Sequence, residues 1–423
     1  MERMMLLRTR LFFLFLIMMF SLVACGDDDD DNDDSHDGDF TLDDDDSADD
    51  DDDDLTPPEG WRMELVDDNH AGRHNNLLFS PSFEPVIVYY RDNNHDAIPA
   101  VAEKNEAAWN IEQLDTTEAN WDLHFTMDST GYGHVAFYAF SPETINYDLL
   151  YATNKSGAWE IQLVEEDLTT LFEGCGLALN AADEPFFVYE NRGFVGDEYL
   201  ESVFLAAWNG DGWDSERIAT GAEPTMAIDK NDVIHVVYRT PCDVDLPTAD
   251  CGKLMYAVKT ADEWLFETID ELDDNEADPG FIPYEFSDLL LELDEDGFAH
   301  LVYRVHFWDD PEEQNHYIFQ TKYASNVGGT WESSLVRDRS YLLNAALDPA
   351  GKPHILLSDT TESERQVWHY AKSNSTWESE CLNLPSNPVD LFIDADGFFH
   401  LSYAELTDMG DGDSLYYLTN RPE

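Results

Sequence analysis

Apolar and polar residues alternate along most of this chain, in short runs bounded by Gly, Asp, Asn and Pro. A period of two, with Val, Tyr, Phe and Trp filling the apolar places, predicts strands and excludes a helical solenoid. The runs follow a plan. An apolar strand, a turn with Asp or Gly and a second strand ending near Tyr recur seven times, at 77–90, 123–138, 177–190, 226–239, 291–304, 345–358 and 391–404. A third strand reading apolar-x-Tyr-Ala, a turn and a Trp that opens a fourth strand follow in six complete copies. The seventh stops at LYYLTNRPE, the end of the chain, and the missing strand, GWRMELV, stands at Gly60–Val66 ahead of the first repeat.

Seven four-strand units sharing one displaced strand predict a closed ring. The fold class is all-β: a seven-bladed β-propeller whose last blade is completed by the N-terminal strand around Trp61. Closure removes the terminal strand edges that an open array would expose. The mean repeat is about 52 residues between Tyr89 and Tyr403, at the long end for propeller blades.

The N-terminus follows another pattern. Arg3, Arg8 and Arg10 precede an apolar run, Leu11–Ala24, too short for a confident transmembrane helix. The run ends in Leu22-Val23-Ala24-Cys25-Gly26, which resembles a bacterial lipobox. That resemblance implies a signal peptide at 1–24, cleavage before Cys25, lipidation of Cys25 and, with Gly26 following, an outer-membrane lipoprotein facing the periplasm or the cell surface. Residues 25–54 are nearly all Asp and are expected to form a disordered acidic tether. The propeller domain then spans 55–423.

Charge narrows the partners. The chain carries 22 Lys and Arg against 91 Asp and Glu. Residues 1–54 take 20 of the acids and three of the cations, leaving 71 against 19 in the propeller. Such an excess argues against nucleic acid and against anionic membrane surfaces. Membrane attachment is expected only through the lipid on Cys25, and a monomer is expected. Cys242 and Cys251 bracket one loop and are expected to form a disulfide. Cys175 and Cys381 are expected to be free and buried. No cofactor is expected, and no Cys or His spacing reads as a zinc site. Calcium is the one ion the pattern admits, with Asp408, Asp411 and Asp413 as weak candidates.

The turn between third and fourth strands, at Asn326, Gly328, Thr330 and Trp331, resembles a degenerate form of the Asp-box (BNR) repeat of sialidase-like propellers. The recurrent Trp and the recurrent second-strand His (His134, His235, His300, His354, His400) read as packing residues, because rotation about the ring keeps identical positions apart. The Asp-x-Asp-Gly turns at 294–297 and 394–397 read as hairpin chemistry. The connections from second to third strand are long and all different, and variable loops on a rigid scaffold are where binding residues go. Arg91, Arg239 and Arg304 follow second strands, and His306 and Trp308 lie just beyond. These five are the candidate ligand-binding residues, suited to a carboxylate or sulfate. Three functions stay open: a binding propeller for a glycan or protein, a sialidase-like glycoside hydrolase or lyase acting on acidic glycans, and a structural part in envelope assembly.

Overall fold

The computed structural model describes residues 57–422 with short interruptions, the longest at 241–251, 273–281, 309–316, 360–365 and 406–412. Cys25, Cys242, Cys251, Asp408, Asp411 and the side chain of Trp308 lie outside the described residues. Among the described residues, twenty-eight strands form seven antiparallel four-stranded sheets. In chain order these are blade 1 (71–113), blade 2 (119–168), blade 3 (175–220), blade 4 (222–271), blade 5 (282–338), blade 6 (340–385) and blade 7 (389–419). Blade 7 takes its outer strand, Arg62–Asp67, from the other end of the chain, paired with Ser414–Thr419.

The repeated residues hold the blades together. Trp213 of blade 3 packs edge-on against Tyr151 of blade 2 at 5.4 Å between ring centroids. Trp331 does the same to Tyr256 at 5.0 Å, Trp377 to Tyr323 at 5.5 Å, and Trp109 to Tyr417 at 5.8 Å across the closure. One Trp per blade in one register is therefore a seam residue. The apolar clusters likewise straddle neighbours: Val188, Leu205, Met226 and Val236 join blades 3 and 4.

The His ring has an internal logic. In the hairpin turn between first and second strands, an Asp accepts backbone N–H bonds through one oxygen, as Asp294 does from Asp296 at 3.0 Å and Phe298 at 2.9 Å. Its other oxygen faces the second-strand His, at 3.2–3.6 Å for His134, His300, His354 and His400. The opposite ring nitrogen meets the third-strand Tyr, as in His300–Tyr323 at 2.6 Å and His400–Tyr417 at 2.6 Å. Blade 6 substitutes His369 for the Tyr, at 2.9 Å from His354. Blades 1 and 3 replace the whole set, with Ser80, Val86 and Val101 in one and Asn180, Phe186 and Leu205 in the other. A buried polar chain is tolerated when every member is satisfied or none is present. Blades 5, 6 and 7 complete the chain and blades 1 and 3 dispense with it, while in blades 2 and 4 the Nε2 of His134 and of His235 is left without a hydrogen bond among the described residues.

Three of the connections expected as loops are ladder instead. Blade 1 strands run to Asn93 and resume at Asp96, blade 2 strands run to Ser141 and resume at Asn146, and blade 3 strands run to Val195 and resume at Glu198. Polar side chains do not end a strand whose backbone already has a partner, so charge and polarity in the sequence misplaced these ends. Cys175 is free and buried, while Cys381 is free but only half-buried.

Candidate functional site

The first strands of the seven blades line the ring axis and enclose a cavity of about 710 Å³. That is within the range of small-molecule and sugar sites. One feature of these strands recurs. Three residues before the point where each apolar run starts to pair inward, the chain turns left-handed: His74 (φ 47°), Asp122 (φ 26°), Gly174 (φ 128°), Glu223 (φ 49°) and Asp288 (φ 47°). In blades 1, 2, 4 and 5 the ladder slips at this place, so the feature is a bulge that re-aims one side chain. All five residues line the cavity. Only the glycine adopts this conformation without cost, and such strain gathers at functional sites.

The expected Arg residues divide by register. Arg239 and Arg304 stand four residues beyond the second-strand His of their blades and lie behind the bulge carboxylates. Arg239 binds Glu223 at 3.0 Å and Glu285 of blade 5 at 3.0 Å. Arg304 binds Asp288 and lies over the rings of Phe319 at 4.9 Å and Tyr341 at 5.6 Å. His306 joins them, with Nε2 2.5 Å from the Ser287 hydroxyl and Nδ1 3.9 Å from Glu285. Burial, reinforced by the Arg304 and Arg239 charges, pushes its pKa down to about 3, so it is neutral at physiological pH.

Arg91 is one place out of that register, and a one-residue shift moves a strand side chain to the opposite face. It shares Asp67 with the Tyr89 hydroxyl, each at 2.6 Å. Asp67 belongs to the N-terminal strand of blade 7, so Arg91 latches the closure of the ring. The structure thus brings Arg239, Arg304 and His306 to one cluster between blades 4 and 5 and puts Arg91 with other partners. Asp413 is buried, with its Oδ2 3.6 Å from the Nε of Arg73.

Further along the cavity two carboxylates interact. Glu292 is open to the channel yet ringed by protein, and burial together with the Asp390 charge raises its pKa to about 7. Asp390 accepts N–H bonds from Leu77 at 2.5 Å and Leu391 at 3.0 Å, and burial raises it to about 6.

The sequence reading missed His74, Asp122, His124, Glu223, Asp288 and Glu292. A signal existed for some. Glu223 and Asp288 stand at the same distance before their blades' apolar runs, but a left-handed bulge has no composition of its own when the residue is not Gly.

No known protein family matches the sequence, and no curated protein matches it. Solved structures do match the fold. The polysaccharide lyase Uly1 superimposes with a TM-score of 0.51 at 10% identity, over 82% of this chain and 89% of that one. A PL25 ulvan lyase bound to -[GlcA(1-4)Rha3S]- superimposes with a TM-score of 0.50 at 11% identity, over 67% of this chain and 76% of that one. At this identity the likeness concerns the fold alone.

Proposed function

We propose that this chain is a bacterial outer-membrane lipoprotein that presents its propeller to bind a glycan at the axial cavity. The observation that carries the reading is the ring of strained residues, one imidazole (His74) and three carboxylates (Asp122, Glu223 and Asp288), on one cavity of sugar size. Carboxylates there suit the hydroxyl donors of a sugar ring, and Arg239 and Arg304 behind them suit an acidic substituent. Polysaccharide-active propellers of the same architecture add support. The lipid on Cys25 and the Asp-rich segment at 25–54 supply the anchor and spacer in this reading.

A second reading is favoured by one detail. His306 is held neutral between two guanidinium groups. β-Elimination from a uronate needs a base for the ring proton and charges that neutralise the carboxylate; the two guanidinium groups suit the carboxylate, and a uronate bound to them would offset the positive charge that makes His306 a weak base in the free protein. The protein would then be a lyase on acidic glycans.

A glycan array probed with the full chain tests the first reading. Binding to acidic glycans that weakens in Arg304→Ala is expected, and silence across neutral and acidic sugars overturns it. Ultraviolet absorbance of the unsaturated product tests the second. A signal lost in His306→Ala establishes lysis, and saturable binding with no signal restricts the protein to recognition.

A further inference from the structure

Beside Asp122 the cavity wall carries two residues, His124 and Cys175, that neither reading uses. We propose that Asp122, His124 and Cys175 bind a zinc-class divalent transition ion on the cavity wall, where blade 2 meets blade 3. Their ligand atoms all lie within 4.8 Å of one another, a spread that bonds of about 2.0–2.3 Å to one ion close with small movements. One sulfur, one imidazole nitrogen and one carboxylate oxygen are the donors zinc accepts. Calcium asks for six or more oxygens, and this set offers a single carboxylate.

Local structure converges the three. The left-handed bulge at Asp122 re-aims its side chain toward the cavity that His124, two residues on, also lines. The left-handed Gly174 turns the next blade's strand so that Cys175 arrives opposite them. The backbone N–H groups of Gly174 and Cys175 both donate to Asp122 Oδ2, at 2.7 and 3.2 Å. These bonds fix the carboxylate as an outer shell should and direct Oδ1 elsewhere. Among the described residues, neither the His124 ring nor the Cys175 thiol makes a hydrogen bond. All three residues line the cavity, as does His74, a further imidazole on the same wall.

The site shares Asp122 with the glycan reading, and cobalt(II) tests it without any sugar, so that its failure and the failure of glycan binding are read separately. Titration of the reduced full chain is expected to give thiolate-to-cobalt charge-transfer absorption that saturates at one equivalent and is bleached by zinc. The Asp-rich segment at 25–54 binds cobalt through oxygen only and gives no such band. Cys175→Ser is expected to abolish it, Cys381→Ser to leave it unchanged, and His124→Gln to abolish it while circular dichroism stays native. If the serine variant does not fold, His124→Gln carries the test alone. A natively folded wild type without the band, or full intensity in Cys175→Ser or His124→Gln, overturns the assignment.

Discussion

The turn side of each blade and its axial edge obey opposite rules. At the turns, Asp, His and Tyr recur with nearly the same distances in blade after blade, and two blades drop the whole set together. At the axis, five equivalent left-handed positions hold one imidazole (His74), one glycine (Gly174) and three carboxylates of two lengths (Asp122, Glu223 and Asp288). Rotation explains the contrast. A seam between blades poses the same packing problem seven times, so one answer is repeated. The axis is one place seen from seven directions, so a ligand there asks something different of each blade.

The comparison breaks first if the turn-side residues prove dispensable. Trp331→Ala removes the indole that packs on Tyr256 between blades 4 and 5. It is expected to cost about 3 kcal/mol in denaturant unfolding. A loss under about 1 kcal/mol would mean that the Trp register serves something other than packing.

A smaller effect probes the polar chain. His300→Ala leaves the Tyr323 hydroxyl and the inner oxygen of Asp294 without their shared partner, at a cost of about 2 kcal/mol. Replacing Asp294, His300 and Tyr323 together by the Asn, Phe and Leu found in blade 3 is expected to recover most of that loss. If the triple variant is less stable than the single one, the two solutions are not interchangeable.

The same contrast decides what could be read from sequence. Trp331 and His300 announced themselves because period reveals packing, and the displaced strand at Gly60–Val66 revealed the closure. Arg239, Arg304 and His306 were found because scarce cations stand out in an acidic chain. Arg91 was grouped with them because sequence shows that a residue follows a strand but not which face it occupies, and one residue of register decides that. His124 and Cys175 were invisible as a pair because they lie in different blades and meet only when the ring forms. Where Asp122 points depends on a left-handed φ that no residue type marks.

Acid separates the two regions by sign. Buried turn-side histidines have pKa values held below the unfolded 6.5 by desolvation, His354 to about 4. Unfolding lets them take up protons, so their contribution is fully present above pH 6.5 and is lost as pH falls toward 4. With five such His and each pKa unit worth ~1.4 kcal/mol, melting temperature is expected to fall steeply over that window. Val and Phe have replaced the His in blades 1 and 3, so hydrogen exchange should show the five His-bearing blades opening before blades 1 and 3. Equal opening of all seven blades would show that the turn histidines do not set the acid limit.

The smallest expected effect belongs to the axis and runs the other way. Glu292 has a folded pKa of about 7 against 4.5 for a free carboxyl, raised by its enclosure and by Asp390. A group so raised favours the folded state fully below pH 4.5, and that contribution disappears as pH climbs through 7. Glu292→Gln resembles the protonated acid and never ionises. It should therefore match the wild type near pH 5 and melt slightly higher at pH 8, where Glu292 carries its charge toward Asp390. Water in the channel screens the pair, so a shift of a few degrees at most is expected. Equal melting temperatures at pH 8 would mean that the channel solvates both carboxylates fully. A lower one would mean that the Glu292 charge is matched by a cationic group, and the cavity would then have to be read as a paired site and not as an unfilled acidic one.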